Sequence, residues 1–326
     1  DVHDFDLQQG PLVKAVAVNR GSAAPGWVLL VVHHLVVDVV SWRVIVEDLE
    51  AAYASQGQAQ AAPVGATTSD LSRWATGLAE FARSPALLEE LPYWTQQPWS
   101  RAVTLPKELT GPMTKDSMRT VHATLDEGHT RALLRSAQAR PHELLMTALA
   151  AACTGWAGGQ VLQLDVEHHG REDVVPGLDL SRTVGWFTAY APVLLDVGAS
   201  SWAERLAEVR RANRAVPRNG LGYIVLKYLA EPSVRSAMAK LPPSAVCFNY
   251  MGVLDHALAE STLFTMAPGV EGPVDAARTR KDLLLEVNAG VAKGVLRTSF
   301  SFSAGAYSTA SIVVLLMGSA LCRERM

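Results

Sequence analysis

The sequence predicts an α/β protein built as two lobes, and three observations lead to this prediction. Short apolar runs typical of buried strands alternate with helical apolar spacing along the whole chain. A length of 326 residues is enough for about two domains. The segment Thr104 to Ser117 holds two prolines, two lysines and a glycine, and has little periodicity. We therefore predict a first lobe over residues 1–110 and a second over 111–326, with a functional site between them.

The composition argues against several classes of protein. A hydrophobic content of 49% with 19% charged residues is typical of a globular chain. A net charge of -3, without a run of Lys or Arg, gives no electrostatic basis for binding nucleic acid. The N-terminal residues lack the blocks of a signal peptide, and the apolar run Ser311 to Leu321 is too short to span a bilayer. Because Cys153, Cys247 and Cys322 show no metal or disulfide spacing, we expect reduced thiols and a cytoplasmic protein without a membrane partner.

The first half is expected to begin with a hairpin and to continue in helices. Alternating apolar residues from Leu12 to Val18 and the run Trp27 to Val32 flank a Gly and Pro-containing turn, which indicates two adjacent strands. Apolar residues from Val40 to Tyr53 recur at helical spacing. The remaining predicted elements are a surface loop over Gln56–Thr68, a helix from a Ser69 cap to Arg83 and a short helix over Pro85–Gln96.

The second half alternates strands and helices. QVLQLDVE, Gln160 to Glu167, strongly predicts a strand, and VLRTSFSFS shows strict alternation. Further strands are expected in MRTVHATLD, at Ala191–Val197, in SAVCFNYMGVLD and in LLLEVNAG. Helices are expected at Glu127–Ala137, Pro141–Trp156, Trp202–Ala215, from the Asn219-Gly220 turn to Leu229, and at Ser308–Arg323.

Two of these strands end in clusters of acid–base side chains. The second strand leads into HHLVVDVVSW, with His33, His34 and Asp38, and QVLQLDVE leads into EHHGRE, which starts at Glu167. A lone histidine in such a place is more often a satisfied core or turn residue, but several ionisable groups together favour a functional site. Adjacent histidines point in different directions on a strand and chelate poorly, so we expect no metal at these residues or at His168 and His169.

Six segments together resemble the epimerization branch of the condensation-domain superfamily of nonribosomal peptide synthetases. HHLVVDVVSW resembles the HHxxxDG motif of that superfamily, and its SWR continuation resembles the epimerization branch in particular. The other five follow in the order of the family, and the set covers nearly the whole chain. They are DLQQGPL, EHHGRE, SRTVGWFT at Ser181 to Thr188, VPRNGLGY at Val216 to Tyr223, and FNYMG at Phe248 to Gly252.

The resemblance implies a fold and a partner. It implies two chloramphenicol-acetyltransferase-like lobes in a V-shape, with a central tunnel that admits the 4'-phosphopantetheine arm of a peptidyl carrier protein. No cofactor would be bound directly, since the substrate would arrive on that arm. The chain starts well inside the first lobe of the family, so we expect that lobe to be incomplete. The chain would then be a fragment that lacks an N-terminal segment of a larger synthetase, have that segment on another chain, or have a shortened lobe that serves another use.

The implied reaction is epimerisation of an aminoacyl or peptidyl thioester at its alpha carbon. It requires one group to remove the alpha proton, another to return a proton from the opposite face, and a donor for the enolate oxygen. By the resemblance, His34 and Glu167 are the two acid–base groups. We expect burial to raise the pKa of the glutamate. Other residues would support them: His33 and Asp38 would orient the loop, the aspartate through an arginine, and Ser41 is either an N-cap or a substrate contact. Asn249 and Tyr250 either donate hydrogen bonds or pack at the end of a strand, and Trp186 and Tyr223 belong to the core or to the tunnel wall. The remaining supporting residues within the motifs are Trp42, His168, His169 and Arg171.

Two residues depart from the pattern of the family and leave other functions open. Val39 replaces a glycine, and a β-branched residue is unsuited to a position with positive φ or to a narrow passage for the arm. His168 replaces another glycine and adds an imidazole next to Glu167 in sequence. The alternatives are a condensation-fold enzyme for another acid–base reaction, such as cyclisation, elimination or isomerisation, and a catalytically silent relative that docks a carrier protein.

Overall fold

A computed structural model shows a mixed α/β fold, as the sequence predicts. The structure describes residues 5–55, 68–137, 139–254, 263–265, 267 and 283–321. Its strands are β1 Val13–Val18, β2 Trp27–Val32, β3 Met118–Leu125, β4 Val161–His168, β5 Ala189–Asp196, β6 Val246–Val253, β7 Leu285–Ala292 and β8 Val295–Ser303. Its helices are α1 Val39–Ala54, α2 Leu71–Phe81, α3 Pro85–Leu88, α4 Leu91–Thr95, α5 Glu127–Leu134, α6 Pro141–Ala157, α7 Trp202–Arg214, α8 Leu221–Tyr228, α9 Pro232–Met238 and α10 Thr309–Leu321.

The chain divides into two compact units that do not follow chain order. The first contains residues 1–75, 176–188 and 255–275, and the second contains residues 76–175, 189–254 and 276–326. The segment 176–188, which holds the SRTVGWFT motif, thus belongs to the same unit as HHLVVDVVSW. The predicted lobe boundary at 110/111 stays a prediction.

The first unit contains the predicted hairpin. Strands β1 and β2 pair antiparallel, with Val13 opposite Val32 and Val18 opposite Trp27. This pairing confirms the two adjacent strands that the sequence predicts. Helix α1 follows β2 after one short 3-10 turn, so only a few residues separate the strand from the helix. This tight passage between strand and helix is the segment in which His33, His34 and Asp38 lie.

The second unit is a six-stranded sheet in the order β3-β8-β7-β6-β4-β5. β4 pairs parallel with β6 and antiparallel with β5, so β4 lies inside the sheet. Because side chains alternate along a strand, each side of the sheet has its own composition. On one side Phe248, Val287 and Phe300 line a small cavity together with leucines of α5, α6 and α10, which shows that these helices cover the apolar side.

The opposite side of this sheet is polar. The strand register places Asp165 beside Cys247, Cys247 beside Glu286, and Asn249 beside Asn288. Glu167 follows Asp165 by two positions on β4 and therefore points to the same side. The glutamate predicted as an acid–base group thus stands on the polar side of the sheet, near its end.

Several predicted element boundaries were wrong. Ser69 does not cap α2: the carboxylate of Asp70 accepts from the N–H of Ser72, while the Ser69 hydroxyl accepts from the N–H of Asp179. The helix predicted over Pro85–Gln96 is two short helices, α3 and α4, and α5 ends at Leu134. Arg323 and Cys322, and the predicted loop except for Thr68, lie outside the described residues.

Candidate active site

The first site cluster forms where β2 passes into α1. His33 precedes the 3-10 turn His34–Val36, and its Nδ1 accepts from the N–H of Leu35 at 3.2 Å. Its main-chain N–H donates to the carbonyl of Leu12 at 2.9 Å, and its ring lies edge-on to Phe5. These contacts hold the backbone of the turn through His33.

His34, the predicted acid–base residue of this cluster, is exposed. Its ring centroid lies 5.0 Å from that of Trp186, at a tilt of 57°. Trp186 is 40% exposed, so in this unit it is a surface residue rather than a core residue. The indole gives the imidazole a flat apolar neighbour, and the imidazole stays accessible.

Asp38 is the buried centre of this cluster. It is 4% exposed and is the N-cap of α1, and its Oδ1 accepts from the N–H of Ser41 at 2.7 Å. Its Oδ2 accepts from the main-chain N–H of Phe187 at 3.2 Å. A main-chain N–H on each oxygen and the Ser41 hydroxyl are among the donors that hold this carboxylate, and the arginine that the sequence suggests stays a prediction.

Ser41 joins the two motifs of the first unit. Its Oγ lies 2.7 Å from Asp38 Oδ1 and 2.9 Å from the carbonyl oxygen of Gly185, and it accepts from the N–H of Gly185 at 3.1 Å. Of the two roles considered for Ser41, that of N-cap is taken by Asp38, three residues earlier. Ser41 has 0% exposure, and its other considered role, a substrate contact, stays a prediction. Its role in the structure is to bind one motif to the other.

Val39 is the first residue of α1 and is 45% exposed. Among the described residues, the non-glycine positions with positive φ are Arg218, Asn219 and Lys293, so the backbone at Val39 does not require glycine. One of the two reasons for regarding this substitution as unfavourable therefore does not apply. Trp42 lies half-buried in the first turn of the same helix.

Arg182 is a contact of this cluster that the sequence argument does not single out. Its guanidinium donates to Glu47 Oε2 and to Asp48 Oδ1, each at 2.5 Å, and these carboxylates raise its pKa further. Glu47 and Asp48 both lie on α1. The arginine therefore adds a second connection between the SRTVGWFT segment and the helix that starts after Asp38.

The second cluster is centred on Glu167 at the end of β4. Glu167 is half-buried, and its Oε1 lies 3.8 Å from Sγ of Cys247 on the neighbouring strand β6. Asn249, two residues further along β6, is half-buried on the same side of the sheet. Asn249 thus lies within the polar row that also contains Glu167.

His168 does not lie beside the carboxylate of Glu167, although the sequence leads us to expect an imidazole next to the proposed base. Successive residues of β4 point to opposite sides of the sheet. Burial, and then the charge that His142 and His169 could carry, lower the pKa of His168 to about 4. His168 is therefore neutral near neutral pH, on the side of the sheet that carries Tyr250.

His142 and Tyr250 extend the cluster on that side. His142 stands in the first turn of α6, and its ring centroid is 6.4 Å from that of Tyr250. Burial lowers the pKa of His142 and raises that of Tyr250, so both favour their neutral forms. The sequence alone identifies neither His142 nor its helix as part of a site.

The VPRNGLGY segment holds the EHHGRE loop through a side chain. Asn219 Nδ2 donates to Glu172 Oε1 at 2.9 Å, and His169 Nε2 lies 3.8 Å from the same oxygen. His169 Nδ1 also accepts from the N–H of Arg171 at 3.0 Å. The main-chain N–H of the half-buried Arg171 thus closes a short turn that begins at His169.

The same segment carries unusual backbone geometry. Arg218 and Asn219 have φ values of 44° and 47°, a left-handed conformation that non-glycine residues rarely adopt. Each side chain is bound to a carboxylate, since Arg218 pairs with the buried Glu90. Glu90 has a raised pKa because burial outweighs the arginine. Tyr223 is 5% exposed and packs on Trp94, so it belongs to the core of this unit.

Two kinds of feature are absent from the described residues. No group of three or more His, Cys, Asp or Glu side chains in that part of the chain is arranged to hold a metal ion. In the same residues, no helix combines the length and apolar character that crossing a membrane requires.

The sequence profile of the condensation-domain family matches residues 2–316. The chain belongs to the condensation-domain family. This membership confirms the resemblance of the six segments at the level of the family, and the mixed α/β fold agrees with it. Two units of structure each assemble a part of those segments: HHLVVDVVSW with SRTVGWFT, and EHHGRE with VPRNGLGY and the strand of FNYMG.

Relatives of this condensation-family chain include much longer proteins. One component of the linear gramicidin synthase of Brevibacillus parabrevis is 35% identical over 317 residues, which make up 94% of this chain and 4% of that protein. Tyrocidine synthase 1 of the same organism is 33% identical over 324 residues, which make up 94% of this chain and 29% of that protein. The chain therefore spans less than a third of the length of either relative.

Solved structures show the same fold. The epimerization domain from the third module of tyrocidine synthetase B has a TM-score of 0.88 and 29% identity, covering 98% of this chain and 72% of that one. The first condensation domain of the calcium-dependent antibiotic synthetase has a TM-score of 0.66 and 19% identity, covering 96% and 69%. At that identity the second likeness concerns the fold alone.

Proposed function

We propose that this domain epimerises the alpha carbon of an aminoacyl or peptidyl thioester during nonribosomal peptide biosynthesis. The observation that carries the proposal is the greater similarity to an epimerization domain, with a TM-score of 0.88, than to a condensation domain, with a TM-score of 0.66. In this proposal the substrate is presented on the 4'-phosphopantetheine arm of a peptidyl carrier protein. The length of the relatives supports a setting within a larger synthetase.

His34 and Glu167 are the proposed acid–base groups. Epimerisation removes the alpha proton, leaves an enolate and returns a proton from the opposite face, so it needs one group for each step. The exposed ring of His34, held beside Trp186, and the half-buried carboxylate of Glu167 are both chemically suited to proton transfer. Asn249, in the polar row beside Glu167, is the proposed donor to the enolate oxygen.

Isotope exchange tests this proposal directly. An L-aminoacyl carrier protein incubated with the domain in deuterated water should gain deuterium at the alpha position, and the D-isomer should appear. Two loaded carriers that instead yield a dipeptide would assign condensation. A docked and intact carrier that keeps its alpha proton would exclude epimerisation.

Variants of the two groups test the assignment of the site. Removing a general acid–base group slows a reaction by about a hundredfold or more, so Glu167→Gln and His34→Ala should each reduce exchange by at least that factor. His129→Ala changes an exposed histidine of α5 whose ring pairs with Asp126, and serves as the control. If Glu167→Gln and His34→Ala both exchange at the wild-type rate, the site lies elsewhere.

Val39 offers a test of the alternative function. Since its φ is not positive, Val39→Gly should leave the turn intact and would act by opening space. A faster exchange would indicate that the valine narrows the path of the arm. An unchanged rate, together with activity on a free small molecule, would favour an altered acid–base reaction of the same fold.

A further inference from the structure

A buried thiol lies against the carboxylate proposed as an acid–base group. Cys247 is 6% exposed, and its Sγ lies within donor distance of Glu167 Oε1, at 3.8 Å. Cys247 is the register partner of Asp165 on β4, and Glu167 stands two residues beyond Asp165. The three side chains therefore share the polar side of the sheet, with the thiol between two acidic residues.

The neighbouring acid on β4 is held in a comparable way. The Ser244 hydroxyl donates to Asp165 Oδ1 at 2.5 Å, and Gln163 Nε2 donates to Ser244 Oγ at 3.1 Å. Gln163, Asp165 and Glu167 are every second residue of β4 and form a row on one side of the sheet. Ser244, in the segment leading into β6, supplies a donor to the buried Asp165 of this row. Cys247 on β6 lies beside this row, and its Sγ is 3.8 Å from Glu167 Oε1.

The other described cysteine shows what a purely structural thiol looks like here. Cys153 lies in α6 with 0% exposure, and burial raises the pKa of its thiol to about 12. A buried cysteine usually acts as a small hydrophobic residue, and Cys153 fits that description. Cys247 differs because its S–H group has a carboxylate oxygen as acceptor.

We propose that Cys247 is a positioning residue that orients the Glu167 carboxylate through a weak S–H donor, which fixes the group and lowers its basicity only slightly. This inference rests on the proposed function of Glu167. A thiol donates more weakly than a hydroxyl. A donor to an ionised carboxylate favours the ionised form and lowers its pKa, so a weak donor fixes the group while costing it little basicity.

Substituting the donor should move the pH profile of exchange in two opposite directions. Cys247→Ser introduces a stronger donor and should shift the acid limb of the profile to lower pH by roughly half to one unit, with a slower plateau. Cys247→Ala removes the donor and should shift the acid limb to higher pH. Cys153→Ala, at a buried cysteine remote in sequence and in another element, should shift neither.

Opposite shifts distinguish positioning from packing. If Cys247 only filled space, both variants would lose thermal stability and leave the acid limb where it is. That result, or shifts of both variants in the same direction, would overturn the proposal.

An infrared measurement decides the contact without any activity. The difference spectrum between wild type and Cys247→Ala isolates the S–H stretching band of Cys247. In Glu167→Gln the band should move to higher frequency, because an amide oxygen accepts more weakly than a carboxylate. An unmoved band would overturn the proposal. If the band moves but the wild-type domain shows no alpha-proton exchange, the contact between Cys247 and Glu167 is confirmed and the proposed function is excluded.

Discussion

The carboxylate of Asp38 accepts a hydrogen bond at 3.2 Å from the main-chain N–H of Phe187, a residue 149 positions further along the chain. Because Asp38 also caps α1, one buried side chain ends a turn, starts a helix and fixes a distant segment. The turn that carries His33 and His34 is thus held in place from the side of the aspartate, while His34 remains accessible.

Asp38→Ala should weaken the first unit strongly. It removes the helix cap and leaves buried N–H donors without an acceptor, which together correspond to about 3 kcal/mol. Asp38→Asn retains one acceptor oxygen and should lose about half of that. Hydrogen exchange of the α1 amides reports this locally, and Asp70→Ala, at the exposed cap of α2, is the control with a smaller effect. Unchanged protection of α1 in Asp38→Ala would contradict this account.

His168 should make the protein sensitive to acid. Its pKa in the native protein, about 4, lies below the ordinary value of 6.5, so the unfolded chain takes up the proton first. The contribution of the neutral ring is complete above pH 6.5 and is lost as the pH falls through about 4, with an upper limit of about 3 kcal/mol.

His168→Gln should therefore lose less stability than wild type over this range. Denaturation midpoints at several pH values measure the difference, and an NMR titration of the imidazole gives its pKa directly. His129→Gln, at a histidine with a 70% exposed side chain, is the matched control. A titration of His168 near its ordinary value would refute the prediction.

Gly220 should tolerate no side chain. Its φ is 82°, and a Cβ at this position would stand 2.5 Å from Cβ of Ala191. Gly158 has a similar φ of 76° but nothing within 4 Å, so Gly158→Ala should cost only the strain of about 1 kcal/mol. Gly220→Ala adds overpacking and should cost about 3 kcal/mol.

A compensating change separates the two contributions. Ala191→Gly removes the atom that Gly220→Ala would meet, so the double variant should recover about the overpacking part. Denaturation midpoints of the single and double variants provide the measurement. Equal losses in Gly158→Ala and Gly220→Ala would mean that the contact with Ala191 relaxes freely.

The strands were predictable because burial imposes a period on them. The alternation in β8 and the apolar residues of β4 follow from the covered sides of the sheet, and both strands were placed within a few residues. Ser69 and Asp70 were not separable, since either can cap a helix. Only the hydrogen bond from Asp179 to the Ser69 hydroxyl shows why the cap moves to Asp70.

The residues of the candidate site could be proposed from the sequence where they lie in motifs, and not where they depend on distant contacts. His34 and Glu167 stand in segments that resemble the family, whereas Cys247 reaches Glu167 across 80 positions and Glu90 reaches Arg218 across 128. The alternation of polar residues at Gln163, Asp165 and Glu167 was the one available signal, because it marks a side of β4 that needs donors from elsewhere. The identity of those donors follows from the topology.

The Ser41 hydroxyl bonded to both the N–H and the carbonyl of Gly185 has a consequence for recombining members of this family. Residues 38–41 and 185–187 exchange hydrogen bonds as one assembly, although more than 140 positions separate them. A chimera that draws these two segments from different parents brings together surfaces that were not selected together. Crossover points should therefore be chosen so that both segments come from the same parent, even when this divides the chain at less convenient loops.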